Sequence, residues 1–365
     1  MTSTPHLSNQ QAQEIMHLIG REGDVYTPLV NEYNHVYHIE CGNEVFFLKT
    51  HTKDWYPSED AETGYSVAHE HSACSVLASN GLATPEVLLA CRNRDNPFGR
   101  PFILTRKLHG EPLTQLLRQA DEERFRALLI AAGEYLRRVH AITFAFPGYI
   151  VGSRPTAPPE ENAWQHPIWT AKRRQKNALA MLREDAAKIP VELATRLEAI
   201  FPTIENTLAP AYNPPHFVHG DCHAHQFFLY EETGQWKVSG FIDLEVASAG
   251  DCTQDLVTFA TEMARDFPIT TRWWEPFFAG YGGEPDFELF RLRFLGTTDD
   301  ILAFVLHWSG SKAEFLTYVL AATDWETLFS KLTRDTAPGD SAPSARIRCT
   351  PAGPSPALFL RRGCE

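Results

Sequence analysis

Positive charge is scarce in this sequence: 33 lysines and arginines stand against 46 aspartates and glutamates, a formal net charge of −13. Such a chain is a poor partner for nucleic acid or an anionic membrane surface, and a reasonable one for a cationic ligand. Long apolar runs are missing too, since none approaches the ~20 residues of a membrane-spanning helix. The opening MTSTPHLSNQQAQ lacks both the basic flank and the apolar stretch of a secretory signal, so a cytoplasmic protein is expected. Cysteines are present (Cys41, Cys74, Cys91, Cys222, Cys252, Cys349, Cys364) but odd in number, scattered, and without a C-x-x-C pair. That is poor material for a disulfide framework or a structural zinc site and fits a reducing compartment. No internal repeat is present. What the chain does have is apolar substance: 365 residues, 43% of them hydrophobic, suffice for one large domain or two ordinary ones.

The order of local signals divides the chain. Ser8 with Gln11 three residues on reads as a capping box, followed by Ile15, Leu18 and Ile19 on one helical face and Gly20 as the stop. YNHVYHI, the turn Cys41-Gly42-Asn43 and VFFLK read as a hairpin. Residues 66–79 read as a helix closed by Asn80-Gly81, with Val67, Cys74 and Leu77 inward. VLLA (87–90) and PFILT (101–105) are strand candidates. From Pro112 to Asn206 the pattern is mainly helical, interrupted by the Pro-rich loop 153–167. A short β section at 216–243 follows, and helices then run to about residue 333. The expectation is an α+β chain with an N-terminal sheet unit (1–105), a larger helical unit (106–334) and a Pro/Ala/Gly/Ser-rich disordered tail (335–365).

Within this frame HGDCHAHQFFLY (219–230) holds three histidines, an aspartate, a cysteine and a glutamine ahead of a strand. The strand QFFLY, the turn EETGQ and WKVSGFID form a hairpin. It puts Asp221 just before one strand and Asp243 at the end of its partner. Paired carboxylates around a hairpin suit magnesium-assisted phosphoryl transfer, one orienting the attacking hydroxyl and the other holding the metal. They also suit a plain solvated loop with a turn cap. Lys49 ends an apolar strand, and Glu70 lies in the next helix. Either could be a surface charge alone, but their order before H-G-D and I-D makes a set. Asp251 is placed to cap the helix CTQDLVTFATEMA, with Asp255 in its first turn. A different reading makes His216, His219, Asp221, His223 and His225 a zinc cage and the protein a metallohydrolase. That reading leaves Lys49 and Glu70 without a role.

HGDCHAHQ followed by IDLEVASAGDCTQDL resembles the H-G-D-x-H-x-x-N and I-D-x-E-x-x-x-x-G-D-x-x-x-D-L motifs of the aminoglycoside phosphotransferase and choline kinase superfamily. The likeness runs from about Val25 to the low 300s. It implies a protein-kinase-like fold of two lobes and an ATP- and Mg2+-dependent kinase acting on a hydroxyl of a small molecule. By this resemblance Asp221 is the catalytic aspartate and Asp243 the magnesium ligand. Lys49 grips phosphate and Glu70 holds Lys49. TRKLHGEPL (105–113) is similar to the linker whose backbone meets adenine, at Arg106, Lys107 and Leu108. His140 is structural. Two positions depart from the family: Gln226 stands where an asparagine is the second magnesium ligand, and the hairpin TPLVNEYNHVYHI lacks the usual glycines, although Asn34 and Tyr37 match. A cationic aminoglycoside fits the acidic balance. Choline, homoserine, sugar and macrolide acceptors use the same scaffold, and a nucleotide-binding pseudokinase is the alternative that the departures suggest. Trp164, Trp169, Trp273 and Trp274 read as aromatic surface near the acceptor or as core. The sequence leaves the oligomeric state open.

Overall fold

The protein's structure, a computed structural model, describes residues 7–22, 25–29, 34–51, 67–151, 154–156, 191–192, 195–196, 199–200, 214–296 and 318–330. Trp164, Trp169 and the expected tail lie outside these residues. The first helix, α1 (Asn9–Leu18), begins as its sequence dictates. Ser8 Oγ accepts the Gln11 N–H at 3.1 Å, and Gln11 Oε1 accepts the Ser8 N–H at 2.9 Å. Its inward face is Ala12, Ile15 and Met16, whereas Leu18, expected inward, is 55% exposed at the last turn.

Strands β1 (Val25–Leu29), β2 (Asn34–Cys41), β3 (Glu44–His51), β4 (Val87–Cys91) and β5 (Phe102–Arg106) form an antiparallel sheet in the order β1-β2-β3-β5-β4. The period of two along β3 buries Phe46, Leu48 and Thr50 on one face and sends Lys49 to the other. Phe46 and Leu48 join Tyr37 and Ile39 of β2 and Ile15 and Met16 of α1 in the smaller of two apolar cores. Helix α2 (Val67–Ser79) buries Val67, Cys74 and Leu77 as expected, and its Cys74 and Leu77 belong to the larger core.

That larger core gathers α3 (Leu113–Arg118), α4 (Glu122–His140), α5 (Thr253–Asp266), α6 (Trp274–Tyr281), α7 (Phe287–Gly296) and α8 (Trp325–Ser330). Helices α4 and α6 approach so closely at Gly133 and Gly280 that a Cβ on either would strike a backbone carbonyl of the other helix. Trp273 and Trp274 are buried against Phe329 in this core, so of the two readings open to this pair the structure shows the core one. The five described cysteines are free, and among described residues no helix is long and apolar enough to cross a membrane.

Two small sheets position the loops. One orders β11 (Gln235–Phe241), β10 (Phe227–Glu232) and β6 (Glu111–Pro112). The other orders β8 (Arg154–Thr156), β7 (Gly148–Val151), β12 (Ser248–Gly250) and β9 (His216–Val218). Here the sequence expectation needs correction, because Arg154–Thr156 was assigned to a loop and Ser248–Gly250 to no strand. Strands this short carry too little local alternation to be seen. Partners distant in sequence, β7 and β9, fix β12, and β8 pairs with its chain neighbour β7.

Candidate active site

Lys49 lies where the sheet, α2 and the loop after β11 converge. Its Nζ is 2.6 Å from Asp243 Oδ1, 2.8 Å from Glu245 Oε2 and 3.1 Å from Glu70 Oε2. Burial works against the ammonium, but Asp243, Glu245 and Glu70 outweigh it and hold its pKa well above the usual lysine range. Glu245 pays the cost of this crowding: burial, incompletely offset by Lys49 and reinforced by Asp243 and Glu70, raises it to about 7. Asp243 itself sits at φ 67° and ψ 49°, the left-handed region that aspartate tolerates better than most residues. That bend turns the chain out of β11 and into the short helical turn Leu244–Val246, which brings Asp243 and Glu245 to the same ammonium.

The loop after β9 is held from beneath. Asp255, fully buried in the first turn of α5, accepts the backbone N–H of His219 at 2.7 Å and of Gly220 at 2.9 Å. His140 Nε2 lies 3.1 Å from the same carboxylate, and its Nδ1 is 2.8 Å from the Tyr281 hydroxyl, a structural role as expected. His219 bridges the two loops. Its Nε2 donates to the Ile242 carbonyl at 3.0 Å while its Nδ1 accepts the Asp221 N–H at 3.3 Å. Gly220 is at φ 85°, and a Cβ there would press on the Val246 carbonyl, so both backbone and space demand glycine. Asp251 does hold the start of α5, accepting the Thr253 N–H at 2.9 Å, but Cys252 occupies the cap position itself.

Asp221 emerges from this loop with its side chain 45% exposed. Oδ1 meets His223 Nε2 at 3.0 Å, and Oδ2 meets Gln226 Nε2 at 3.3 Å. Burial of its surroundings disfavours the charge, yet His223 above all, with His219 and His225, holds the carboxyl well below its usual range. The Gln226 amide is buried, and its oxygen accepts the His223 N–H at 3.0 Å. The neighbours fix this orientation, since only the amide oxygen can take an N–H and only the nitrogen can donate to a carboxylate.

The sequence model of the phosphotransferase enzyme family, APH, matches residues 26–295 of this chain. The protein belongs to this family. No curated protein matches it. Among solved structures, the GDP complex of aminoglycoside 2'-phosphotransferase-IIIa is similar over 88% of this chain and 97% of its own, at 16% identity and a TM-score of 0.55. The GDP and kanamycin complex of APH(2")-IIia is similar over 86% and 96%, at 16% identity and 0.53. The gentamicin–APH(2")-IIa complex is similar over 89% and 99%, at 14% identity and 0.52. At these identities the likeness is one of fold. The phosphotransferase has the expected two-lobed, protein-kinase-like α+β architecture, and its family makes it a small-molecule kinase.

In this phosphotransferase Lys49, Glu70 and Asp243 come together as one cluster, and Asp221 and Gln226 as a second. The linker residues stand differently. Arg106 N–H donates to the Glu86 carbonyl at 3.0 Å and Lys107 N–H to the Val45 carbonyl at 2.9 Å, so these two amides already have acceptors. The Arg106 guanidinium pairs with Glu44 and Glu86. Leu108 packs at the Gly240 backbone. The five-residue zinc cage does not assemble: His216 Nδ1–H donates to the His140 carbonyl at 2.6 Å, and His219 has both ring nitrogens in the loop network. Sequence reasoning missed Glu262, which receives the Ala224 N–H and His225 Nδ1 from its place on α5. The available signal was an acidic residue seven positions after Asp255, on the inward stripe of an amphipathic helix.

Proposed function

We propose that the protein transfers the γ-phosphoryl group of ATP, with Mg2+, to a hydroxyl of a small cationic molecule of the aminoglycoside type. The observation that carries this reading is the single ammonium of Lys49 inside three carboxylates. Such a cluster holds more negative charge than one lysine neutralises, as the raised Glu245 reflects. A surplus of hard oxygen donors fits a dication of the magnesium type. Asp243 would hold that ion, which supplies charge neutralisation on the transferring phosphate. Gln226 would reach it as a second ligand through the lone pair its His223 bond leaves free. Lys49 binds phosphate oxygens, and Glu70 keeps it in place from α2.

Asp221 orients the acceptor hydroxyl and takes its proton late. Its low basicity suits this task, because a loose phosphoryl-transfer transition state asks for positioning more than for a strong base. The donors on its two oxygens, His223 and Gln226, fix the plane in which the hydroxyl must approach. The reading carries a division into a nucleotide-binding lobe (1–105), a catalytic and substrate lobe (106–334) and a tail (335–365). Any adenine contact by Arg106, Lys107 and Leu108 would use their carbonyls or the Leu108 amide. The net charge of −13 and the kanamycin and gentamicin complexes of the similar structures support the cationic acceptor.

The test is a coupled nucleotide-consumption screen of the full chain with ATP and with GTP. It runs against aminoglycosides, amino alcohols, sugars and macrolides, with Asp221→Asn as the blank. Turnover confined to another acceptor class would move the substrate assignment. Silence with every acceptor, despite nucleotide binding, would favour a pseudokinase.

A further inference from the structure

We propose that His223, His225 and Glu262 form a transition-metal site of the zinc class, separate from the carboxylates around Lys49 and backed by Asp221. The ligand atoms of these three residues lie within 4.8 Å of one another. His225 Nδ1 is 2.8 Å from Glu262 Oε1, and His223 Nδ1 is 3.8 Å from Glu262 Oε2. Metal–ligand bonds of about 2.0–2.2 Å at a tetrahedral angle set neighbouring ligand atoms roughly 3.4 Å apart. The two observed separations bracket that value, so small side-chain rotations suffice to admit an ion.

The site is built into the fold. Glu262 is 3% exposed on α5, and the short helical turn Ala224–Gln226 stacks the two imidazoles at 5.3 Å with 15° between their planes. His223 Nδ1 is buried and has no hydrogen-bond partner among the described residues. A buried ring nitrogen without a partner is costly, and here it faces a carboxylate across a gap. The other nitrogen of the same ring, Nε2, is 3.0 Å from Asp221 Oδ1. This is the carboxylate–histidine–metal arrangement in which an outer carboxylate fixes the tautomer and orientation of a ligand histidine. Two imidazoles and one carboxylate favour a borderline dication over magnesium, which takes oxygen donors. One cation stands nearby, Arg265 Nη2 at 3.7 Å from Glu262 Oε1, and its Nε is engaged with Asp266 at 2.7 Å. With an ion on Nδ1, His223 must present an N–H at Nε2, and the catalytic loop gains a fixed partner for Asp221. The site would set the position of Asp221 without touching the phosphate.

The full chain, stripped with a chelator, is titrated with Co2+ and with Zn2+ in excess Mg2+, so that the Lys49 carboxylates do not compete. One equivalent of Co2+ with the visible absorption of a tetrahedral, nitrogen-ligated ion is expected, displaced by Zn2+. His225→Ala and Glu262→Gln should each weaken binding by more than the roughly 10–100-fold that losing an outer-shell partner costs. His17→Ala, on α1, should leave binding unchanged. Circular dichroism separates lost binding from lost folding, and His225, the more exposed of the two residues, is the safer probe. Uptake of less than one equivalent, or equal binding by His225→Ala and the parent, would overturn the proposal. The readout needs no acceptor, so silence in the phosphotransfer screen leaves this result standing on its own.

Discussion

Removal of the Asp255 side chain should loosen the loop that carries Asp221. The carboxylate is fully buried and receives the His219 N–H at 2.7 Å, the Gly220 N–H at 2.9 Å and the His140 ring at 3.1 Å. Asp255→Ala leaves the buried His219 donor and the part-buried Gly220 donor unsatisfied, each worth about 1–3 kcal/mol, and removes the imidazole bond as well. The sum is about 3–7 kcal/mol, a large share of the roughly 5–15 kcal/mol that keeps a domain folded. Asp255→Asn retains one acceptor oxygen but sets an amide NH2 against the remaining donors, so about half that loss is expected. Urea unfolding followed by tryptophan fluorescence reads the stability. Hydrogen exchange at the His219 and Gly220 amides reads the loop directly. A change below about 1 kcal/mol in Asp255→Ala, with those amides still protected, would refute the view that this carboxylate holds the loop.

Asp221→Asn should abolish transfer while nucleotide affinity stays near the parent value, whereas Asp243→Asn should weaken Mg2+-dependent nucleotide binding; calorimetry beside a turnover assay checks both. Gln226→Ala should weaken Mg2+-dependent nucleotide affinity and lower kcat more than about tenfold, because the side chain is proposed to reach the metal and also bonds Asp221, where misplacement of about 1 Å can cost roughly a hundredfold. Unchanged Mg2+-dependent affinity in that variant would take Gln226 off the metal and leave it a support for Asp221 alone. His69, buried on α2, is lowered to about 4 by burial, which bonds to the Ile150 and Ala247 backbone only partly offset. Between pH 6.5 and about 4 the unfolded chain therefore binds a proton that the folded chain refuses. Stability should fall by about 1.4 kcal/mol per pH unit as pH drops through that window. The difference in urea midpoint between parent and His69→Gln, followed from about pH 7 to about pH 5, should show this slope in the parent alone.

What was legible in the sequence was what local chemistry dictates. Ser8 and Gln11 announce α1 because a capping box involves only residues three apart. The alternation around Lys49 fixes its face of β3, and the H-G-D and I-D signatures fix which aspartates leave the hairpin. Where several distant segments must meet, the sequence was silent. Strand β12 is three residues long and exists because β7 and β9 flank it. The Arg106 and Lys107 amides look free in sequence, and Glu86 and Val45 occupy them only once the sheet forms.

Glu262 shows the same limit at the site itself, and Glu245, visible in the I-D-x-E motif as acceptor-facing or a structural carboxylate, shows it in its choice of partner. Each is a glutamate whose residue type suits a solvated surface as well as a core. Glu245 becomes part of the Lys49 cluster because Asp243 turns the chain through a left-handed bend. Glu262 joins His223 and His225 because α5, anchored at its first turn by Asp255, runs beneath the loop that Asp255 itself holds. One helix thus fixes Asp221 twice: through backbone bonds from Asp255 on one side, and through the imidazoles gathered by Glu262 on the other. A substitution on α5 that shifts the helix along its axis would disturb both supports together, whereas changes in the hairpin reach Asp243 directly and Asp221 only through the His219–Ile242 bond and Gln226. The geometry of the carboxylates around Lys49 and that of Asp221 are therefore set chiefly by different elements.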